Sequence, residues 1–299
     1  MTLHRLTEKP APVLTAALAE FERSFTYPLG PLDSFSISHG DDYTRFFRSM
    51  GPACLYAAAA DGKIAGTLVQ VTRTVVCRDG RCLPAAYLCD AKIAPWHRGR
   101  LVLARLMEAA CADILRAGIR LAYAVVMDGS PPPNGYTGRL GVPAFKRLAD
   151  LTVLCCDTAA AAEMHAPSPQ AWNNDLIRVA GGCAADRSEM PELLLEANGA
   201  AGILSDTRRG KRLFRSDGSE ILNAHLRLES VASAQAAGAL LRRASAAAAD
   251  LGYTGLFCAL PAENAQSLAT ATGITTAGAG LYGCGFSRGG AWQVDSCEI

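Results

Sequence analysis

The sequence lacks long apolar runs, an excess of charge of either sign, and the cysteine and histidine spacings of metal sites. A membrane-spanning helix needs about 20 consecutive apolar residues, and no run approaches that length. The first residues, MTLHRLTEKPAPVL, lack the uninterrupted apolar core of a signal peptide. A formal net charge of +1 provides no basic surface for nucleic acid. We therefore expect a soluble, cytoplasmic protein with neither a membrane nor a nucleic acid as partner.

The 11 cysteines are odd in number and form no CxxC motif, so no metal site is predicted and most are expected to be small buried residues. Cys77 and Cys82 flank the turn sequence RDGR and could face each other across a hairpin; two reduced thiols are favoured over a disulfide. The histidines at positions 4, 39, 165 and 225 have no nucleophilic serine or cysteine pattern nearby. They give no support to a hydrolase triad.

The first half of the 299 residues predicts a β-meander followed by a β-α-β crossover. Alternating apolar residues from position 53 to 95 indicate three antiparallel strands, with turns at residues 61–62 and 79–80. An apolar stripe from Leu103 to Ile114 then predicts an amphipathic helix that ends near Gly118. A helix over VLTAALAEFERSF precedes this block, and buried strands over IRLAYAVVM and DLTVLCCD follow the helix. The order predicts an α/β fold, with a mixed, mostly antiparallel sheet covered by helices on both faces.

The second half repeats this order after a stretch rich in Ala, Pro, Ser and Asn. Strand-like ILNAHLRLES leads to a long helix and then to the buried strand YTGLFCALP. Gly118 matches Gly252, and Asn134 matches Asn264, at nearly equal spacings, which favours a duplicated unit over chance similarity. We predict a first domain at 1–157, a linker at 158–175 and a second domain at 176–299.

The stretch IAPWHRGRLVLARLM, residues 93–107, places cations at the start of a helix. The positive end of the helix dipole and unpaired N–H groups lie there, so Arg98 and Arg100 destabilise the helix unless an anion binds between them. A strand, a proline and Arg-Gly-Arg leading into a helix form the geometry of an anion site. Solvated surface arginines are the alternative.

This stretch resembles the acyl-CoA-binding motif of the GNAT superfamily of N-acetyltransferases, V-x-P-x-Y-R-G-x-G-x-G/A-x-x-L-L. The resemblance extends over residues 52–157, and NGYTGRLGV at 134–142 is similar to the family's last short helix and turn, with basic and glycine positions at Arg139 and Gly141. It implies a tandem GNAT-like arrangement with acetyl-CoA or another acyl-CoA as co-substrate. The matching or similar positions are Ile93, Pro95, His97, Arg98, Gly99, Leu106 and Met107.

Two departures bear on that implication. Leu101 and Leu103 stand where the family has glycine or alanine, and a β-carbon there pushes a phosphate away from the backbone. The second half has LRLESVASAQ in place of the Arg-Gly loop, with Glu229 near the expected phosphates. We expect the second unit to keep the fold without the cofactor site.

The resemblance also implies site residues. Asp90 is the candidate base, although an acid that caps a bulge or pairs with Lys92 or Arg73 is an equal alternative. Tyr136 is the candidate acid for the leaving thiolate, with simple packing as its alternative. The implied cofactor-binding positions are Ala91, Ile93, Arg98, Gly99, Arg100, Leu101, Leu103 and Asn134, the last either bonding pantetheine or capping a helix.

The first functional interpretation is an acyltransferase that moves an acetyl or other acyl group to an amine acceptor. The alternative is a catalytically inactive GNAT-fold module for ligand sensing or interaction, which Leu101 and Leu103 favour. An aminoacyltransferase acting on charged tRNA is disfavoured by the neutral charge. The acceptor is expected to be a small-molecule or peptide amine. The acidic residues Asp33, Asp41 and Asp42 weakly indicate that it is cationic. The sequence leaves open whether the protein forms a homodimer.

Overall fold

The computed structural model describes residues 1–29, 33–133, 143–160, 172–268, 274–287 and 289–299. The helices are α1 (Pro12–Glu22), α2 (Arg45–Arg48), α3 (Val102–Arg116), α4 (Ala234–Asp250) and α5 (Ala262–Gln266). The strands are β1 (Thr2–Leu6), β2 (Tyr27–Leu29), β3 (Asp33–Ser38), β4 (Ala53–Ala60), β5 (Lys63–Val76), β6 (Cys82–Ile93), β7 (Leu121–Met127), β8 (Lys146–Asp157), β9 (Ile177–Val179), β10 (Leu193–Ala197), β11 (Ala200–Ser205), β12 (Arg212–Arg215), β13 (Asn223–Val231), β14 (Gly255–Pro261), β15 (Ile274–Cys284) and β16 (Trp292–Gln293).

The predicted meander is present as β4, β5 and β6, which pair antiparallel in that order. Gly62 and Gly80 have positive φ in the two connecting turns, as tight hairpins with the strand twist require. Successive side chains of β4 point to opposite faces of the sheet. Leu55 belongs to the core beneath α1 and α2, and Tyr56 to the core beneath α3. Helices therefore cover both faces, as predicted.

The helix that follows the motif buries one face against this meander. Leu106, Ala110 and Ile114 of the predicted stripe are buried, and Leu103 and Met107 are half-buried at its margin. A stripe of this width is what a surface helix presents to a sheet. α3 thus fixes the position of the loop at its own N-terminus relative to β6.

The crossover is repeated in the second half. β6, α3 and the parallel β7 correspond to β13, α4 and the parallel β14. Gly118 and Gly252, which the sequence matched, follow the two helices with φ of +74° and +83°. A left-handed residue commonly ends a helix, and glycine adopts that conformation without strain.

One continuous sheet joins the two units through exchanged strands. The 13 described strands of this sheet include the central run β6-β7-β15-β8-β14-β13. β15, from the second half, pairs with β7 of the first, and β8, from the first half, pairs with β14 of the second. Each crossover is therefore completed by the other half of the chain. The predicted domain boundaries at 157 and 176 stay predictions.

A small second sheet of β12, β3 and β2 also joins the two halves. Within the described ranges, no helix combines the length and apolar character needed to cross a membrane.

Candidate functional site

β6 and β7 pair over a short stretch and then no longer pair with each other. The pairing runs from Ala85 with Leu121 to Tyr87 with Tyr123. We call the place where residues 88–93 of β6 and 124–127 of β7 follow this pairing the first slot. Ala91 is exposed although it lies within a strand. Backbone groups along this edge of β6 are thus positioned to bond an extended ligand.

A bulge lies on the β6 side of the first slot. The pairing of β5 with β6 shifts register between Thr67 and Val69, opposite Asp90 and Ala91. Asp90 has φ of +51°, a left-handed conformation that aspartate tolerates better than most residues. The Thr67 hydroxyl donates to the Asp90 carbonyl at 3.1 Å and supports the bulge.

The loop between β6 and α3 has the features of an anion site. Gly99 has φ of +75° with open space around it, and Arg98 and Arg100 are exposed. Among the described residues, neither arginine has an ion-pair partner, and no side chain caps α3 at Leu101. Cations beside uncapped helical N–H groups favour a bound phosphate.

The two leucines that depart from the GNAT motif differ in placement. The Leu101 side chain is 65% exposed, and Leu103 is half-buried. Leu101 therefore points largely into solvent at the start of α3. Whether the pair weakens phosphate binding stays a prediction.

A buried charged network lies on the β6 bulge. Lys92 Nζ is 2.6 Å from Asp90 Oδ1 and 3.6 Å from Glu22 Oε1. The Tyr43 hydroxyl donates to Asp90 Oδ2 at 2.6 Å, and Glu22 Oε1 lies 2.6 Å from His39 Nδ1. Within the described part of the chain, His39 Nε2 is buried without a partner. The network joins α1 and the segment after β3 to the first slot.

The network determines the protonation of Asp90. Burial alone raises the pKa of this carboxyl, but the charge of Lys92, with His39 and the hydrogen bonds, lowers it below its ordinary value. Burial likewise opposes the charge on Lys92, yet Asp90 raises the pKa of the ammonium above its ordinary value. Asp90 is therefore an ionised carboxylate in an ion pair, the alternative that the sequence left open beside the base. Its catalytic role stays a prediction.

The sequence did not reveal a group of residues at the vertex of the first slot, which is the place where β6 and β7 still pair. The rings of Tyr87 and Tyr123 stack with centroids 5.0 Å apart. Tyr87 donates to the carbonyl of Glu298, whose carboxylate pairs with Arg73. Burial raises the pKa of Glu298 above its ordinary value. The contacts of Glu298 with Tyr87 and Arg73 join residues more than 200 positions apart, so no local pattern could reveal them.

The remaining predicted residues have different outcomes. Asn134 and Tyr136 fall outside the described residues. The three acids suggested for a cationic acceptor each form an ion pair within the chain. No group of His, Cys, Asp or Glu suited to a metal occurs in the described part. All 11 cysteines, including Cys77 and Cys82, are free thiols. The acid pairs are Asp33–Arg215, Asp41–Lys9 and Asp42–Arg48.

The second unit has a corresponding slot with a different helix start. β13 and β14 pair only from Asn223 with Gly255 to His225 with Phe257. Residues 226–231 and 258–261 border this second slot, and β13 is bulged at residue 229. Only residues 232–233 connect β13 to α4, where residues 94–101 connect β6 to α3. Ser233 caps α4 by accepting the Ala236 N–H at 3.2 Å. The second unit therefore has the strand geometry without the arginine loop.

Comparisons with known proteins identify this fold. No protein-family profile and no curated protein matches the chain. N-myristoyltransferase of Saccharomyces cerevisiae with bound myristoyl-CoA aligns over 99% of this chain and 87% of its own, at a TM-score of 0.64 and 7% identity. A second structure of that enzyme with myristoyl-CoA covers 99% and 83%, at 0.63 and 8%. A probable N-acyltransferase from Enterococcus faecalis covers 95% and 72%, at 0.48 and 10%.

The chain therefore shares its fold with N-myristoyltransferase over nearly its whole length. The predicted fold class is confirmed. At these identities the likeness concerns the fold alone.

Proposed function

We propose that the protein is an acyltransferase that moves an acyl group from acyl-CoA to an amine, with the first slot as the donor site. The observation that carries the proposal is the difference between the two units. At the first slot, α3 begins without a side-chain cap and beside Arg98 and Arg100, which form no ion pair with any described residue, whereas α4 is capped by its own serine.

In this proposal the donor lies with its pyrophosphate at the start of α3. Arg98 and Arg100 supply charge-assisted bonds, and Gly99 lets the loop turn toward the helix. Backbone groups near Ala91 and Ile93 bond the pantetheine, since β7 no longer pairs with them. The exposed Leu101 lies at the mouth of this site.

Transfer requires the amine nitrogen to attack the thioester carbon and to lose a proton. We assign that proton to Asp90, directly or through water, and assign Tyr136 to protonate the departing thiolate. The ion pair with Lys92 makes Asp90 a weaker base than an isolated buried carboxylate. Such a weak base can remove the proton more readily from an acceptor amine whose pKa is lowered, or through a relay of water molecules.

A binding module without catalysis is the second candidate function. Leu101 favours it, because an exposed leucine replaces the glycine that would let a phosphate approach the backbone closely. Such a module would bind acyl-CoA weakly or not at all.

Isothermal titration with acetyl-CoA, and then with longer acyl-CoAs, tests the proposal. We expect micromolar binding by the wild type and a loss of at least about tenfold in the Arg98→Ala/Arg100→Ala variant, since two charge-assisted contacts are removed. The matched control is Arg23→Ala/Arg120→Ala, which removes two exposed arginines elsewhere and should leave binding unchanged.

Binding that both double variants retain in full would contradict a pyrophosphate site at α3. No heat with any acyl-CoA would contradict the proposed donor and support the binding-module alternative.

A further inference from the structure

A segment of the same chain packs at the second slot. Residues 172, 174, 176 and 178 border one small cavity together with residues 228–231 of β13 and 260–261 of β14, and we call residues 172–178 the occupying segment. A cavity of about 10 Å³ remains there, bordered by Trp172, Leu176 and Leu260 among others. That volume holds at most about one water molecule.

Asn264 holds this segment by its backbone. The Asn264 side chain accepts the N–H of Asn173 through Oδ1 at 2.9 Å and donates through Nδ2 to the Asn173 carbonyl at 2.9 Å. Asn264 is buried and lies in α5, directly after β14. A carboxamide that bonds both groups of one residue recognises an amide-bearing chain independently of its side chains.

The β13 edge of the second slot is also occupied. Arg178 donates to the Glu229 carbonyl at 3.0 Å, and Gln293 donates to the Leu228 carbonyl. β14 is buried from residue 258 to residue 261, whereas residues 125–127 of β7 are half-exposed. These two carbonyls of β13 lie in the part of the strand that does not pair with β14, and side chains of the same chain bond them. Buried polar groups generally need such partners.

We propose that the second slot is a binding site for an amide-bearing chain, and that its ligand is the protein's own segment 172–178. The segment packs at the place that corresponds to the proposed donor site of the first unit, and the Asn264 carboxamide bonds both backbone groups of Asn173. The second slot is closed to acyl-CoA for this reason as well as for its missing arginine loop. This assignment does not depend on acyl-CoA binding in the first slot.

Amide hydrogen exchange of the full-length protein tests the proposal without any ligand. The Asn173 N–H should be protected in the wild type, and Asn264→Ala should reduce its protection by at least about tenfold, since its acceptor is lost. Amides of β13 and β14 should keep their protection. Asn174→Ala is the matched control, because it removes an exposed asparagine side chain of the same segment and leaves the bonds between Asn264 and the Asn173 backbone in place.

Trp172→Ala provides a second variant in case Asn264→Ala fails to fold, and it should also lower protection at residue 173. An unprotected Asn173 amide in the wild type would overturn the proposal. Protection that survives both Asn264→Ala and Trp172→Ala would overturn it too. A failure of acyl-CoA to bind would leave these exchange results unchanged, so the two proposals are tested separately.

Discussion

Asp90 combines a left-handed backbone with a buried carboxylate held between an ammonium and a phenol. The sequence predicted that Asp90 would be a base, or would cap a bulge or pair with Lys92 or Arg73. The structure shows the bulge and the ion pair with Lys92, whereas Arg73 pairs with Glu298. Glu22 and His39 could not be predicted as neighbours of Asp90. They lie on α1 and after β3, and only tertiary packing brings them to β6.

The Asp90–Lys92 pair makes a testable contribution to stability. Asp90→Asn should lower the free energy of unfolding by about 2–4 kcal/mol, because it leaves a buried ammonium with Glu22 as its remaining charge partner. Adding Lys92→Met should recover part of that loss, so the two substitutions should not be additive. Denaturant unfolding of the single and double variants measures this.

Asp41→Asn is the matched control for this cycle. Asp41 also pairs with a lysine, Lys9, at 2.5 Å, but both side chains are largely exposed. Solvent screens such a pair, so its loss should not change stability measurably. An Asp90→Asn variant as stable as the Asp41→Asn variant would show that the buried pair is not formed in solution.

The two units differ in how their crossover helices, α3 and α4, begin. The sequence predicted both helices and the arginine loop, since apolar period and the Arg-Gly pattern are local signals. It did not predict that Ser233 caps α4 or that part of the predicted linker packs at the second slot. A segment of low periodicity carries no signal for the distant strands near which it packs.

Gly99 makes a prediction for the loop before α3. Gly99→Ala should destabilise the protein by about 1–2 kcal/mol, because an L-residue resists the left-handed conformation, and should weaken acetyl-CoA binding several-fold by moving the loop. Gly80→Ala is matched, since Gly80 has φ of +81° in an equally open hairpin turn. It should cost similar stability without affecting binding; thermal unfolding and titration measure the two effects. Equal effects of both variants on binding would contradict the proposed role of the loop.

The whole molecule is two repeated crossovers merged into one sheet by exchanged strands. Composition, period and the motif were enough to predict the two units. The exchange of β8 and β15 was not predictable, because either strand's apolar pattern suits a neighbour in its own half or in the other. The merged sheet brings Glu298, from the end of the second half, to the vertex of the first slot.

The central claim is that the two units share a fold but that only the first has an open ligand slot. Hydrogen exchange of the full-length wild type with and without coenzyme A tests it most directly, since the probe contains the pyrophosphate and pantetheine common to every acyl-CoA. We predict added protection in residues 88–103 and 124–127, and none in residues 226–236 or 258–261. Equal protection in both units, or protection in the second unit alone, would contradict the account.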